Sequence, residues 1–72
     1  ELDLLRFLVA HEGRALSRAR ILEGVWGGGE EIVSRVVDTT ILNLRKKVEK
    51  NPARPRHILS VRGVGYRFSR AP

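Results

Sequence analysis

The first twelve residues carry apolar side chains on two opposite sides of a predicted helix. One side has the i, i+3, i+7 spacing of an amphipathic helix and consists of Leu2, Leu5 and Val9. At about 100° per residue, the other side consists of Leu4, Phe7 and Leu8. We expect one side to pack on the rest of the chain, and the other to need cover from an upstream segment or a second subunit.

A second, short helix is predicted over residues 17–25, with Ser17 as its N-cap. Its inward face is formed by Ile21, Leu22 and Val25. Trp26 follows at its end, and three glycines then break the chain and begin a loop that runs to about residue 33.

The longest helix is predicted over residues 34–50, begun by Ser34 and ended by the Asn51-Pro52 pair. One narrow apolar stripe for the core is formed by Val37, Ile41, Leu44 and Val48. The opposite face is basic and rich in hydrogen-bond donors, and consists of Arg35, Thr39, Leu42, Asn43, Lys46 and Lys50. An ordinary solvated surface has a similar pattern, but an exposed Leu42 also suits contact with a thymine methyl group in a major groove.

The C-terminal part predicts a β-hairpin. Residues 57–62 are rich in β-forming side chains, residues 62–66 form the turn, and residues 66–68 return as the second strand. Gly63 and Gly65 are expected to allow positive φ angles at a tight tip, with Arg62 and Arg67 at the base of the hairpin. The order of elements predicts a mostly α fold with a small β-hairpin, which is a winged helix-turn-helix of three helices plus a C-terminal wing.

Composition narrows the classes of function. A chain of 72 residues holds one small domain, taken to span residues 1–72. Because it has no cysteine, the sequence offers no disulfide scaffold, no thiol nucleophile and no Cys-ligated zinc site. No apolar stretch approaches the roughly 18 residues of a membrane span, so we expect a soluble cytoplasmic domain with no membrane partner.

The positive charge is concentrated in the second half of the chain. The formal net charge is +6. Residues 1–33 carry four basic against six acidic side chains, a balance of −2, and residues 34–72 carry ten basic against two acidic ones, a balance of +8. A basic helix followed by a basic hairpin suits double-stranded DNA, with the helix in a major groove about 12 Å wide and a hairpin arginine in the minor groove.

Two other classes of function are less favoured. His11 and His57 fall on different elements without metal-ligand or Ser/His/Asp spacing, so no catalytic residue, metal or cofactor is predicted. The Gly-x-Gly pair of the hairpin lacks the third glycine and the following helix of a nucleotide loop. A basic module for an acidic protein or RNA stays open, although duplex RNA hides its major groove from a helix.

Three motifs resemble the winged-helix effector domain of OmpR/PhoB-type response regulators. The second helix of that family is similar to residues 14–18 with Ile21-Leu22 and Val25-Trp26-Gly27. Its recognition helix resembles residues 35–38 with Ile41 and residues 44–48, and its wing resembles residues 58–68. The resemblance covers nearly all 72 residues.

The resemblance implies sequence-specific binding of double-stranded DNA in the control of transcription. It also implies an antiparallel sheet before the first helix, which would cover Leu4, Phe7 and Leu8, and an upstream phosphoacceptor receiver domain. Two copies are expected to bind direct-repeat half-sites as a homodimer on DNA. The loop that contains Gly27, Glu30 and Glu31 resembles one that can contact RNA polymerase.

The resemblance further assigns residues to parts of the DNA. Base edges are expected to face Asp38, Thr39, Leu42 and Asn43. Phosphates are expected to be approached by Trp26, Arg35, Val36, Arg45, Lys46, Ser60 and Tyr66. Arg62 is expected to enter the minor groove.

Several of these residues have a structural alternative or depart from the family. Trp26 can instead close the core, Tyr66 can pack in the hairpin, and Asp38 can pair with a nearby arginine. Positions 42 and 43 are often basic in relatives, so the DNA sequences that relatives prefer do not transfer to this chain. Asn43 suits a bidentate pair with adenine.

Overall fold

The computed structural model describes residues 1–27 and 35–70. Its helices are α1 (Leu2–Ala10), α2 (Arg18–Trp26) and α3 (Arg35–Val48). A short strand, β1 (Leu16–Ser17), precedes α2, and β2 (Ile58–Val61) and β3 (Gly65–Phe68) form a C-terminal hairpin. The predicted arrangement of three helices plus a C-terminal wing is confirmed, and β1 is an element that the sequence pattern does not predict.

The strands form one antiparallel sheet in the order β1-β3-β2. Tyr66 of the central strand lies opposite Ser60 of β2 and Leu16 of β1. A Cβ atom on Gly65 would come within 2.2 Å of the carbonyl oxygen of Leu16. The absence of a side chain there lets β1 pair with β3, and this pairing fixes the start of α2 beside the wing, which we define as β2, β3 and residues 62–64 between them.

The wing turn needs its two glycines for different reasons. Gly63 has a φ angle of +79°, which L side chains rarely adopt. Gly65 does not have a positive φ angle, so the expectation of one is confirmed for Gly63 and wrong for Gly65, whose requirement comes from the approach of β1. A hydrogen bond from the N–H of Val64 to the carbonyl of Val61, at 3.0 Å, closes the turn.

The ends of α2 follow local rules. Ser17 is the N-cap as predicted, since its Oγ accepts a hydrogen bond from the N–H of Arg20 at 3.0 Å. The helix extends one residue beyond the predicted Val25, to Trp26. It ends at Gly27, which adopts the left-handed conformation with a φ angle of +84°.

The hydrophobic core combines all three helices with β1 and β2. Its buried side chains are Leu4, Leu8, Leu16, Ile21, Val37, Ile41, Leu44 and Ile58. Leu4 and Leu8 are fully buried, whereas Leu2 is 58% exposed. The expectation that the side of α1 with Leu4, Phe7 and Leu8 lacks cover is therefore wrong. The hydrophobic periodicity identifies two apolar sides of α1, but it does not predict which of them packs against α2.

The contact between α1 and α2 depends on a small residue. A Cβ atom on Gly24 would lie 2.2 Å from the ring of Phe7. The half-buried Phe7 therefore packs directly over the α2 backbone, which accounts for its place beside the core.

The end of α3 differs from the prediction. Val37, Ile41 and Leu44 are buried as expected, but Val48 is 39% exposed, so its assignment to the core stripe is wrong. The helix ends at Val48 rather than near Lys50. The reason lies at Glu49, which is buried and turns its carboxylate toward the chain that enters β2. The predicted N-cap Ser34 lies outside the described residues.

Candidate nucleic-acid interface

The outer face of α3 is open to solvent. Arg35, Thr39 and Lys46 are exposed, and Asn43 is partly exposed. Leu42 is 57% exposed, although it is apolar. Among residues 1–27 and 35–70, the side chains of Thr39, Leu42 and Asn43 make no intramolecular hydrogen bond or ion pair, so this face is available to a partner.

Arg45 joins α3 to the wing. Its Nε donates to the carbonyl oxygen of Ile58 and its Nη2 donates to Oγ of Ser60, each at 3.0 Å. The guanidinium carbon also lies 5.7 Å from the centre of the Tyr66 ring, within cation–π range. Because a guanidinium carries five N–H donors, Arg45 retains donors for an anion such as a phosphate.

Asp38 uses both carboxylate oxygens within the protein. The Tyr66 hydroxyl donates to Oδ1 and Nη2 of Arg18 donates to Oδ2, each at 2.7 Å. The alternative that Asp38 pairs with an arginine is therefore confirmed. Burial, with a further contribution from the hydrogen bond to Asp38, raises the pKa of Tyr66 to about 12, so its hydroxyl stays neutral and acts as a donor.

The wing presents a cation at its tip. Arg62 lies in the turn between β2 and β3, so its expected place at the base of the hairpin is wrong, because β2 ends at Val61. Arg62 is exposed, and the neighbouring Val64 is 47% exposed. A groove runs beside this tip, lined by residues of α2, α3 and the wing that include Arg18, Asp38 and Tyr66. The first turn of α3 and the wing turn thus border one groove, and Arg45 and Asp38 connect α3 to the strands of the wing.

Some predicted site residues also support the core. Trp26 and Val36 are partly buried and pack against it, which confirms the core interpretation of Trp26. Gly27 is exposed at the end of α2, whereas Glu30 and Glu31 lie outside the described residues. The sequence did not predict a role for Arg18. Its only distinguishing feature there is that it is a basic residue directly after the cap Ser17.

Sequence reasoning also missed Glu49 as an anchor. Its Oε2 accepts hydrogen bonds from the N–H groups of Ile58 at 2.7 Å and His57 at 3.0 Å, and its Oε1 accepts one from Arg56 at 3.0 Å. Burial raises the pKa of this carboxyl, but the three N–H groups together with the charge of His57 lower it by more, so its pKa lies below the usual value. In the sequence, Glu49 is distinguished only as an acidic residue among basic ones.

Metal binding and membrane insertion are two further possibilities for the described parts of the chain. Residues 1–27 and 35–70 hold no cluster of three or more His, Cys, Asp or Glu side chains that could bind a metal ion. In the same ranges, no helix has the length and apolar character needed to cross a bilayer.

Known sequences similar to this chain include regulatory proteins. Residues 1–68 match the family described as "Transcriptional regulatory protein, C terminal". The sensory transduction protein RegX3 of Mycolicibacterium smegmatis is 39% identical over 68 residues, which are 94% of this chain and 30% of RegX3. The probable transcriptional regulator ycf27 of Cyanophora paradoxa is 49% identical over 70 residues, 94% of this chain and 29% of that protein. The chain thus spans under a third of these relatives.

Solved structures show the same fold. The response regulator DrrB of Thermotoga maritima, an OmpR/PhoB homologue, matches 93% of this chain and 30% of its own, with a TM-score of 0.82 and 40% identity. The DNA-binding domain of Klebsiella pneumoniae RstA, solved in complex with the RstA box, matches 93% of this chain and 66% of its own, with a TM-score of 0.81 and 36% identity. The chain belongs to the C-terminal DNA-binding domains of OmpR/PhoB-type transcriptional regulators, a non-enzymatic family.

Proposed function

We propose that this chain is the effector domain of a two-component response regulator, with α3 in the major groove of a DNA site and the wing in the adjacent minor groove. One observation carries the proposal: Arg45 of α3 hydrogen-bonds to Ile58 and Ser60 of β2, and so joins an exposed, basic helix to the hairpin whose turn carries the exposed Arg62. A major groove admits an α-helix, and the negative potential of a narrow minor groove attracts arginine. The related RstA domain, solved in complex with the RstA box, supports DNA as the partner.

The residue roles follow from this placement. Thr39, Leu42 and Asn43 read base edges, and Arg62 enters the minor groove. Asp38 can face a base as well, since each carboxylate oxygen has a second lone pair. Phosphates are approached by Trp26, Arg35, Val36, Arg45, Lys46, Ser60 and Tyr66.

The other domain of the protein, its assembly on DNA and its contact with RNA polymerase are also proposed. An upstream receiver domain supplies the phosphorylation signal, and two copies bind direct-repeat half-sites in the cytoplasm as a homodimer on DNA. The loop that begins at Gly27 and includes Glu30 and Glu31 contacts RNA polymerase.

Binding to selected DNA tests the proposal. Fluorescence anisotropy compares a duplex selected from a random pool with a scrambled duplex at several salt concentrations. We expect the selected duplex to bind about a thousandfold or more tightly, while both affinities fall with salt. Equal affinities for the two duplexes would contradict base reading.

Two variants separate the proposed contacts. Asn43→Ala is expected to relax preference at one base position at a cost of roughly 1–3 kcal/mol. Lys46→Ala is expected to weaken binding to all duplexes alike and to lower the salt slope by about 1. An unchanged base preference in Asn43→Ala would show that Asn43 does not read a base.

A further inference from the structure

Five side chains form a polar network between α2, α3 and the wing. Asp38 of α3 accepts hydrogen bonds from Arg18 of α2 and from Tyr66 of β3. Arg45, two turns further along α3, donates to Ser60 of β2 and lies over the Tyr66 ring. The network therefore holds both strands of the wing from one helix.

The location of Tyr66 makes this network relevant to the wing. Tyr66 lies in the central strand, opposite Ser60 on one side and Leu16 on the other. Arg62 lies in the turn that joins β2 to β3, four residues before Tyr66. A displacement of Tyr66 relative to α3 would carry the turn, and Arg62 with it, away from the base-reading face.

We propose that Arg18 and Asp38 are positioning residues that hold Tyr66 against α3, so that Arg62 meets the minor groove in register with the bases that α3 reads. The inference rests on the proposed function, because it presupposes that Arg62 contacts DNA. It adds Arg18, which no assigned contact includes, to the residues that determine DNA affinity.

The exposure of the ion pair favours positioning over a role in folding. The side chains of Arg18 and Asp38 are 45% and 38% exposed, and exposed ion pairs contribute little to folding stability. A fixed geometry at an interface, in contrast, strongly affects binding, since a misplaced contact loses its favourable interaction. The neutral Tyr66 hydroxyl, with its pKa raised by burial and Asp38, remains a donor at physiological pH.

A double-mutant cycle on DNA tests the inference. Affinity for the selected duplex is measured for the chain and for its Arg18→Ala, Arg62→Ala and doubly substituted variants, after circular dichroism has verified that each is folded. If the network positions Arg62, the loss caused by Arg62→Ala shrinks by at least about threefold in the Arg18→Ala background, as expected for coupled residues.

Arg20→Ala is the matched control. Arg20 is also an exposed arginine of α2, so its removal subtracts the same charge, but its side chain makes no hydrogen bond or ion pair within the described residues. We expect the losses from Arg20→Ala and Arg62→Ala to combine independently, within about twofold.

Two other results would overturn the inference, and they differ in what they say about the minor-groove contact. If the Arg62→Ala loss is the same within about twofold in the Arg18→Ala and unmodified backgrounds, the positioning role is overturned while the minor-groove contact stands. If Arg62→Ala alone binds as tightly as the unmodified chain, the minor-groove contact fails, and the inference fails with it.

A measurement without DNA gives a second readout. In nuclear magnetic resonance spectra of the free chain, Arg18→Ala is expected to shift the amide signals of residues 62–66 more than Arg20→Ala does. Equal, small shifts in both variants would show that the wing does not depend on Arg18 and would overturn the inference.

Discussion

The two acidic residues of the second half lie at opposite ends of α3 and have different environments. Glu49, just beyond its C-terminal end, is buried and accepts hydrogen bonds from three backbone N–H groups of the chain that enters β2. Asp38, in its first turn, is partly exposed, and its hydrogen-bond donors among the described residues are the side chains of Arg18 and Tyr66.

The difference separates Glu49, which supports the fold, from Asp38, which lies at the proposed DNA-binding surface. The backbone donors beside Glu49 lose this acceptor if the carboxylate is removed, and buried, unsatisfied donors are costly. The side chains beside Asp38 can turn toward solvent or toward a ligand. We therefore expect substitutions near Glu49 to change stability, and substitutions near Asp38 to change DNA binding.

The largest expected effect is that of Glu49→Ala. The variant leaves three N–H groups without an acceptor, and we expect it to lose about 3 kcal/mol of folding free energy, most of what a chain of this size possesses. Asp38→Ala is the matched control, for which we expect about 1 kcal/mol or less. Urea unfolding followed by circular dichroism measures both; equal losses would remove the distinction between the two ends.

A smaller effect is expected for Gly65→Ala. The new Cβ would meet the Leu16 carbonyl oxygen, so β1 must separate from β3, at a cost of about 2 kcal/mol. Gly63→Ala meets no atom within 4 Å but is strained by its φ angle, at a cost of about 1 kcal/mol. Thermal unfolding compares them, and a Gly63→Ala variant that is the less stable of the two would show that β1 pairing matters less than the turn.

The smallest effects concern pH. The lowered pKa of Glu49 means that its stabilisation is present above its ordinary value of 4.5 and is lost as the pH falls through the folded-state value. The pKa of Tyr66, raised from 10.0 to about 12, means that its stabilisation is present below pH 10.0 and is lost as the pH rises toward about 12.

Two conservative variants assign these losses to their groups. In urea unfolding across the pH range, Glu49→Gln is expected to flatten the acid decrease, and Tyr66→Phe the alkaline one. An acid decrease that persists unchanged in Glu49→Gln would assign it to other carboxylates.

The sequence predicts elements better than it predicts the contacts between them. Periodicity located all three helices, and Ser17 was identifiable as a cap because that signal is local. β1 was not predictable, since a strand of two residues shows no alternation and exists only through its pairing with β3. The hydrophobic pattern also could not predict which side of α1 faces the core, because both of its sides are apolar.

In the candidate site as well, the exposure of single residues was predictable from the sequence, but the contacts between distant residues were not. The exposure of Leu42 and of Arg62 follows from helix and hairpin geometry and was predictable. The partnership of Asp38 with Arg18 and Tyr66 joins residues 20 and 28 positions apart, and no local signal carries it. Glu49 was missed for the same reason, since its donors lie seven to nine residues ahead.

The lack of internal contacts at Thr39, Leu42 and Asn43 has an evolutionary consequence. Within the described residues, neither the core nor the wing depends on these side chains, while Asp38 and Arg45 maintain the scaffold around them. Mutations at positions 39, 42 and 43 can therefore accumulate with little penalty in folding. Under the proposed base-reading role, the domain can diverge toward a new operator one base pair at a time, and the same three positions are the natural choice for a library that retargets it.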